Sequence, residues 1–173
     1  ALAAALLVLE RVTTTNRHRR ELAQALHLAR TDGLTGLANR RALLTAIGAA
    51  LAAGAPAGLM LVDLDGFKTV NDTHGHVIGD HVLRVVARRL RETLTGHFLV
   101  ARLGGDEFAV LAQDSDRYAL PALTARVRAA LARPVAVPSG GPVFLGASIG
   151  TALTGPGTTA ADLLRQVDTA MYR

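Results

Sequence analysis

The chain has 173 residues and no cysteine; half of its residues are hydrophobic and 19% are charged, which allows a packed core and excludes a disulfide frame or a thiolate metal site. Its formal charge is +5 and its isoelectric point about 10.9, yet only 3% of residues are aromatic, too few for a base-stacking nucleic-acid surface. The arginines are spread along several predicted helices and Lys68 is the one lysine, so the positive balance reads as solvated helix faces that would also suit an anionic nucleotide.

Residues 1–29 lack Gly and Pro and are rich in Ala and Leu, which predicts one long helix. Val8, Val12, Leu22, Leu26 and Ala29 follow a heptad seam that Thr15 and Arg19 interrupt. The helix reads either as a dimerising coiled coil or as a helix packed on its own domain. Its start, "ALAAALLVL", is shorter than the roughly 20 residues a membrane span needs and lacks a basic leader. It is expected to be the cut end of a transmembrane helix or part of the dimerising helix, in a chain that begins at Ala1 as a piece of something longer.

"TDGLTGLANRR" (31–41) breaks the helix at Gly33 and Gly36, and a second helix is predicted over Asn39–Ala53. "LMLVDLD" (59–65) reads as a buried strand delivering carboxylates at its C-terminal end. After a loop, Ile78, Val82, Val86 and Leu90 mark an amphipathic helix. "FLVARL" and "EFAVLA" flank two glycines as a hairpin. A helix near Leu120–Ala132, one or two strands in "PVFLGASIGTAL" and a last helix over Ala160–Tyr172 complete an α/β or α+β chain with helices packed on a sheet.

Asp63 and Asp65 end one predicted strand, and Asp106 and Glu107 sit on the hairpin turn. If those strands are neighbours, the carboxylates converge at one edge of the sheet. Hard oxygen ligands of this kind suit Mg²⁺, which takes a few carboxylates plus substrate phosphates. Two such ions, about 3.5–4 Å apart, activate a hydroxyl and stabilise a leaving phosphate in an in-line displacement. Gly104 and Gly105, lacking side chains, would let phosphates approach the backbone closely. Yet "GGD" and "DLDG" are also good turns in their own right. On spacing alone, plain turns and a phosphoryl-transfer metal site both stay open.

"RLGGDEF" (102–108) resembles the signature of the GGDEF family, the diguanylate cyclases. "TDGLTGLANRR" is similar to that family's opening motif, and "VDLDGFKTVNDTHGHVIGDHVL" (62–83) to its metal- and guanine-binding segment. "SIG" (148–150) and "VDTAMY" (167–172) match its closing elements, in the same order. The resemblance implies an α+β fold: a central, mainly antiparallel sheet wrapped by helices, related to the palm of nucleotidyl cyclases and polymerases. It divides the chain into a signalling or dimerisation helix at 1–30 and a cyclase domain at 31–173.

The implied reaction joins two GTP into cyclic di-GMP with release of two pyrophosphates, between two facing domains of a homodimer. The implied cofactor is Mg²⁺ or Mn²⁺, two ions per site with GTP bound. By the same resemblance Asp63, the Leu64 carbonyl and Asp106 would hold the metal, and Asp106 would also accept the proton. Glu107 would support charge and geometry. Asn71 and Asp80 would bond the guanine edge, with His76 close by. Lys68, Gly104 and Gly105 would face the phosphates. Phe67 and Phe108 read as core. No nucleic-acid partner is implied. The expected location is a cytoplasmic domain, with membrane anchoring of the parent protein left open.

Two departures from the family pattern stand out. The family's basic tail after the final Tyr is missing from a sequence that ends at Arg173, which predicts weakened phosphate contacts. The family's Arg-x-x-Asp product site falls here on "TGHF", with Thr95 in place of Arg and Phe98 in place of Asp. Neither supplies the required charge, so tight product inhibition through this site is not expected; stray arginines such as Arg126 or Arg128 offer another route. The intact signature favours an active cyclase; the alternatives are a silent GGDEF domain that binds GTP or cyclic di-GMP, and a module whose helix matters more than its site.

Overall fold

The computed structural model describes residues 17, 29–113, 119–138 and 141–171. The predicted long N-terminal helix lies, but for two of its residues, outside the described residues. The core of the fold is a five-stranded sheet in the order β1-β3-β4-β2-β5. β1 (Ala38–Asn39) runs parallel to β3 (Phe98–Gly104). β4 (Glu107–Gln113) pairs antiparallel with both β3 and β2 (Ala57–Asp63), and β2 pairs antiparallel with β5 (Ser148–Leu153). The mainly antiparallel α+β fold expected from the sequence is therefore the one found.

Helices cover both faces of this sheet. Along β4, Phe108, Val110 and Ala112 face one core, while Ala109 and Leu111 face the other. A strand covered on both faces needs apolar residues at every position, which is why β2 and β4 read as unbroken apolar runs. On the first face lie α2 (Phe67–His74), α3 (His76–Thr93) and α4 (Ala119–Leu131), with Phe67, Val82, Val86, Leu90 and Val127 buried. On the second lie α1 (Arg40–Ala53) and α5 (Ala160–Met171), through Leu43, Ile47, Leu163 and Val167. Phe67 and Phe108 are core residues, as expected.

Local chemistry sets the ends of α1. The Asn39 carboxamide oxygen accepts the Ala42 amide at 3.0 Å, and Gly54 closes the helix in the left-handed conformation at φ 65°. The sequence reading differs from the structure at two places. β2 starts at Ala57 and ends at Asp63, so Asp65 lies beyond the strand. Residues 67–74, read as a loop, form a helix; only Phe67 and Val70 of its eight residues are buried, and no side chain caps it, so neither of the usual helix signals was present. Of the one or two strands expected in "PVFLGASIGTAL", Ser148–Leu153 joins the sheet, while Val143 forms an isolated bridge with Val135. A buried guanidinium, Arg89, ties α3 to that bridge by donating to the carbonyl oxygens of Arg133 and, at 2.7 Å, Pro134.

Candidate active site

The acids predicted to converge do so through the β2–β4 pairing. Asp63, at the last position of β2, stands opposite Glu107 on one side and opposite Ser148 on the other. Asp106 is in the turn joining β3 to β4, immediately before Glu107. The turn needs its glycines: Gly104 has φ 147° and Gly105 φ 50°, conformations that side chains disfavour. A register shift between Arg102 and Gly104 bulges Leu103 out of the pairing just before it, a device that re-aims side chains at a sheet end.

Charge crowding is felt at Asp63. Partial burial pushes its carboxyl above the ordinary aspartate range, and the neighbouring Asp106, Glu107 and Asp65 carboxylates push it further. Such a cluster is short of positive charge. Asp65, past the strand end, is held by β5 and the segment before it: its amide donates to the Gly146 carbonyl at 3.1 Å and its carboxylate accepts the Ser148 hydroxyl at 2.7 Å. The Leu64 side chain is buried in the core, while its carbonyl accepts only a long bond, 3.3 Å, from the Phe67 amide. That carbonyl therefore keeps acceptor capacity. Among the described residues, no three His, Asp or Glu side chains form a cage able to hold a metal alone. The donors fit Mg²⁺ in its usual nucleotide setting, in which one or two carboxylates share the ion with substrate phosphates.

Arg102 fixes the turn. Its Nε and Nη2 donate to the Gly105 carbonyl at 3.0 and 2.7 Å, while Nη1 donates to both Asp32 oxygens at 3.1 and 3.3 Å. Burial raises the Asp32 carboxyl, but the Thr35 hydroxyl and amide and the Arg102 guanidinium outweigh it and hold the carboxyl below its usual range. The tie joins the "TDGLTG" loop to the signature turn across 70 residues of sequence. Sequence reasoning missed Asp32 as a partner. The Asp-x-x-Thr spacing does announce the local turn, but nothing local announces the distant arginine.

The predicted guanine-side residues lie on the helical hairpin that follows the carboxylates. Lys68 is exposed in the first turn of α2. Asn71 is half-buried on the same helix and faces α3, where its carboxamide packs against Gly79. Asp80 follows Gly79 and is half-exposed, 3.9 Å from Arg84. His76 is exposed at the first position of α3. Thr95 is exposed and Phe98 packs against the core at the start of β3, so this position is apolar as well as uncharged.

A groove of about 450 Å³ lies at the other end of the sheet, lined by Leu51, Pro56, Thr154 and the Gly155–Thr158 loop, with no ionisable side chain in its wall. The acidic corner is open instead. No described helix is long and apolar enough to cross a membrane.

The family model for the diguanylate cyclase GGDEF domain matches residues 29–173. The response regulator PleD of Caulobacter vibrioides is 36% identical over 95% of this chain and 38% of its own length. The cyclic di-GMP phosphodiesterase PdeR of Escherichia coli is 37% identical over 92% of this chain and 24% of its own length. The chain thus spans well under half of these relatives. Among solved structures, the coiled coil and GGDEF domain of DgcB from Caulobacter crescentus, in complex with c-di-GMP, superposes with a TM-score of 0.89 at 30% identity, covering 95% of this chain and 90% of that one. With the signature turn, the paired acidic strand ends and the helical hairpin all in place, the chain belongs to the GGDEF family.

Proposed function

We propose that the chain is an active diguanylate cyclase that converts two GTP into cyclic di-GMP and two pyrophosphates. The observation that carries this reading is the pairing of Asp63 with Glu107, beside Asp106, at one end of the sheet. Asp63, Asp106 and the Leu64 carbonyl would hold Mg²⁺ together with the triphosphate. The bound ion supplies charge neutralisation at the α-phosphate and lowers the barrier to hydroxyl attack.

The protein's own residues do the rest. Asn71 and Asp80 read the guanine, whose N1–H and N2–H₂ donate to a carboxylate and whose acceptors take an amide hydrogen. Lys68 faces the phosphates, and the glycine turn leaves them room. His76 stands beside the substrate at the start of α3. Asp106 accepts the proton of the attacking 3′-hydroxyl, and Glu107 keeps the turn's charge and shape. The 3′-oxygen forms a bond to the α-phosphorus of the other GTP while the bond to the β-phosphate bridge breaks and pyrophosphate leaves. The same exchange in the opposite direction closes the ring.

Each chain carries one such corner, and each hydroxyl must meet the other nucleotide's phosphate. Two chains must therefore face each other, and the N-terminal helix would raise their effective concentration. With Thr95 and Phe98 at the family's product-binding position, the enzyme works without that tight brake.

A second reading is a silent GGDEF domain that binds GTP or cyclic di-GMP and regulates a partner. It draws on the similarity to PdeR, which is named for phosphodiesterase activity. One assay separates the two: GTP with Mg²⁺, followed by chromatography for cyclic di-GMP, alongside GTP binding by calorimetry. Cyclic di-GMP is the expected result. Saturable GTP binding with no product would establish the silent reading.

A further inference from the structure

Gly79 lies in the first turn of α3, a place where alanine would be the better helix former by about 1 kcal/mol. Its backbone has ordinary helical geometry, so glycine is not there for a rare conformation. Space explains it. A methyl group at position 79 would sit 1.9 Å from Oδ1 and 3.0 Å from Cγ of Asn71. The next atom, Cζ of Phe67, is 3.3 Å away. The room that glycine leaves is thus filled by one group, the Asn71 carboxamide.

The atoms a methyl would meet first are the far end of the Asn71 side chain, so the carboxamide, and not a backbone, would have to give way. Asn71 is half-buried on α2, and the Phe67 ring, itself core, lies against the same spot. A methyl at 79 would drive the carboxamide oxygen outward by more than an ångström before ordinary contact was regained. Directly after Gly79 comes Asp80. One turn of α3 therefore seats one guanine contact and carries the other.

We infer that Gly79 is a specificity-determining positioning residue: it is the seat that holds the Asn71 carboxamide at a fixed offset from Asp80, so that the two together select a guanine base. The inference rests on the assignment of Asn71 and Asp80 to guanine proposed above. Helix stability is given up at Gly79 in exchange for the position of a hydrogen-bonding group. Sites built to hydrogen-bond one base reject another strongly, because their polar groups would be left unpaired. A displaced carboxamide loses that leverage while the metal corner, on other elements, stays intact.

The test uses the full chain as wild type, Asn71→Ala, Gly79→Ala and the double variant, with fluorescent GTP and ATP analogues in the presence of Mg²⁺ and melting curves in parallel. Gly79→Ala is expected to lower the GTP-over-ATP preference at least about tenfold, chiefly through weaker GTP binding. Adding Gly79→Ala to Asn71→Ala should change the preference less than about twofold, since the group that the methyl displaces is gone. The double variant should also melt no lower than Asn71→Ala. Undiminished preference in Gly79→Ala, or an equal loss in both backgrounds, overturns the inference. If Gly79→Ala does not fold, the double variant decides: folding with the selectivity of Asn71→Ala supports the seat, and failure to fold overturns it. Unchanged preference in Asn71→Ala would remove the guanine assignment itself, and the inference with it, a failure distinguishable from the others.

Discussion

The two ends of the sheet differ in kind. At the start of β2, beside the end of α1 and the loop after β5, the chain builds a groove of about 450 Å³ from Leu51, Pro56, Thr154 and a glycine-rich loop, without an ionisable group. At the other end of this seven-residue strand it gathers four carboxylates, Asp63 and Asp106 half-buried and Asp65 and Glu107 exposed, within two turns and a strand pairing. Concavity marks many ligand sites, yet here the groove carries no chemistry. Asp63 has its carboxyl pushed up by burial and by its acidic neighbours, an arrangement that disfavours its ionised form. In the proposed reaction this acidic corner would be half of a site that a second copy completes.

The largest effect is expected from removing one carboxylate. Asp106→Ala should lower cyclic di-GMP formation by more than roughly 100-fold, measured by product chromatography, without loss of fold by circular dichroism. Turnover near wild type would move the chemistry away from this corner.

Removing the tie behind the turn should have the next effect. Arg102 and Asp32 are only 11% and 21% exposed, and Arg102→Ala removes the cation of this ion pair, leaving the carboxylate with Thr35 alone, together with both bonds to the Gly105 carbonyl. A loss of about 2 kcal/mol in urea unfolding is expected. Because the Asp32 carboxyl is held below its unfolded value, its contribution is present above that value and fades as the pH falls through the folded one.

Asp63→Asn should act in the opposite direction, on stability. The folded chain raises this carboxyl above its unfolded value, so wild-type stability falls as the pH rises through that interval. In metal-free buffer Asp63→Asn should therefore melt higher than wild type by a few degrees at pH 7. The difference should vanish below about pH 3, where both states are protonated. Activity should be lost throughout. A lower melting temperature at pH 7 would mean that the carboxylate stabilises the fold.

At the far groove the smallest effect is expected. Pro156→Ala, exposed in the loop lining it, should change stability by less than about 1 kcal/mol and leave product formation unchanged. A large loss of activity would show that this end takes part after all.

What the sequence disclosed follows the range of the forces involved. The apolar runs of β2 and β4 and the 3.6-residue pattern of α3 are local, and they were legible. So was the GG turn, because Gly104 and Gly105 carry the positive φ angles that such a turn requires. The convergence of Asp63 with Glu107 was conditional on strand adjacency, which the register supplies. α2 was hidden because two buried residues and no cap leave almost no helical signal. The Arg102–Asp32 tie was hidden because its two halves are 70 residues apart. Gly79 looked like a motif letter; its meaning needed the side chain of the neighbouring helix.

In the proposed reaction two acidic corners, one per chain, do the chemistry together. The most direct measurement counts cyclic di-GMP and pyrophosphate released from GTP and Mg²⁺ across a wide dilution series, with association state followed by light scattering. The account predicts two pyrophosphates per cyclic di-GMP and a rate per chain that rises as chains associate. GTP bound but never consumed, or a rate per chain that stays flat while the protein is monomeric, would contradict it.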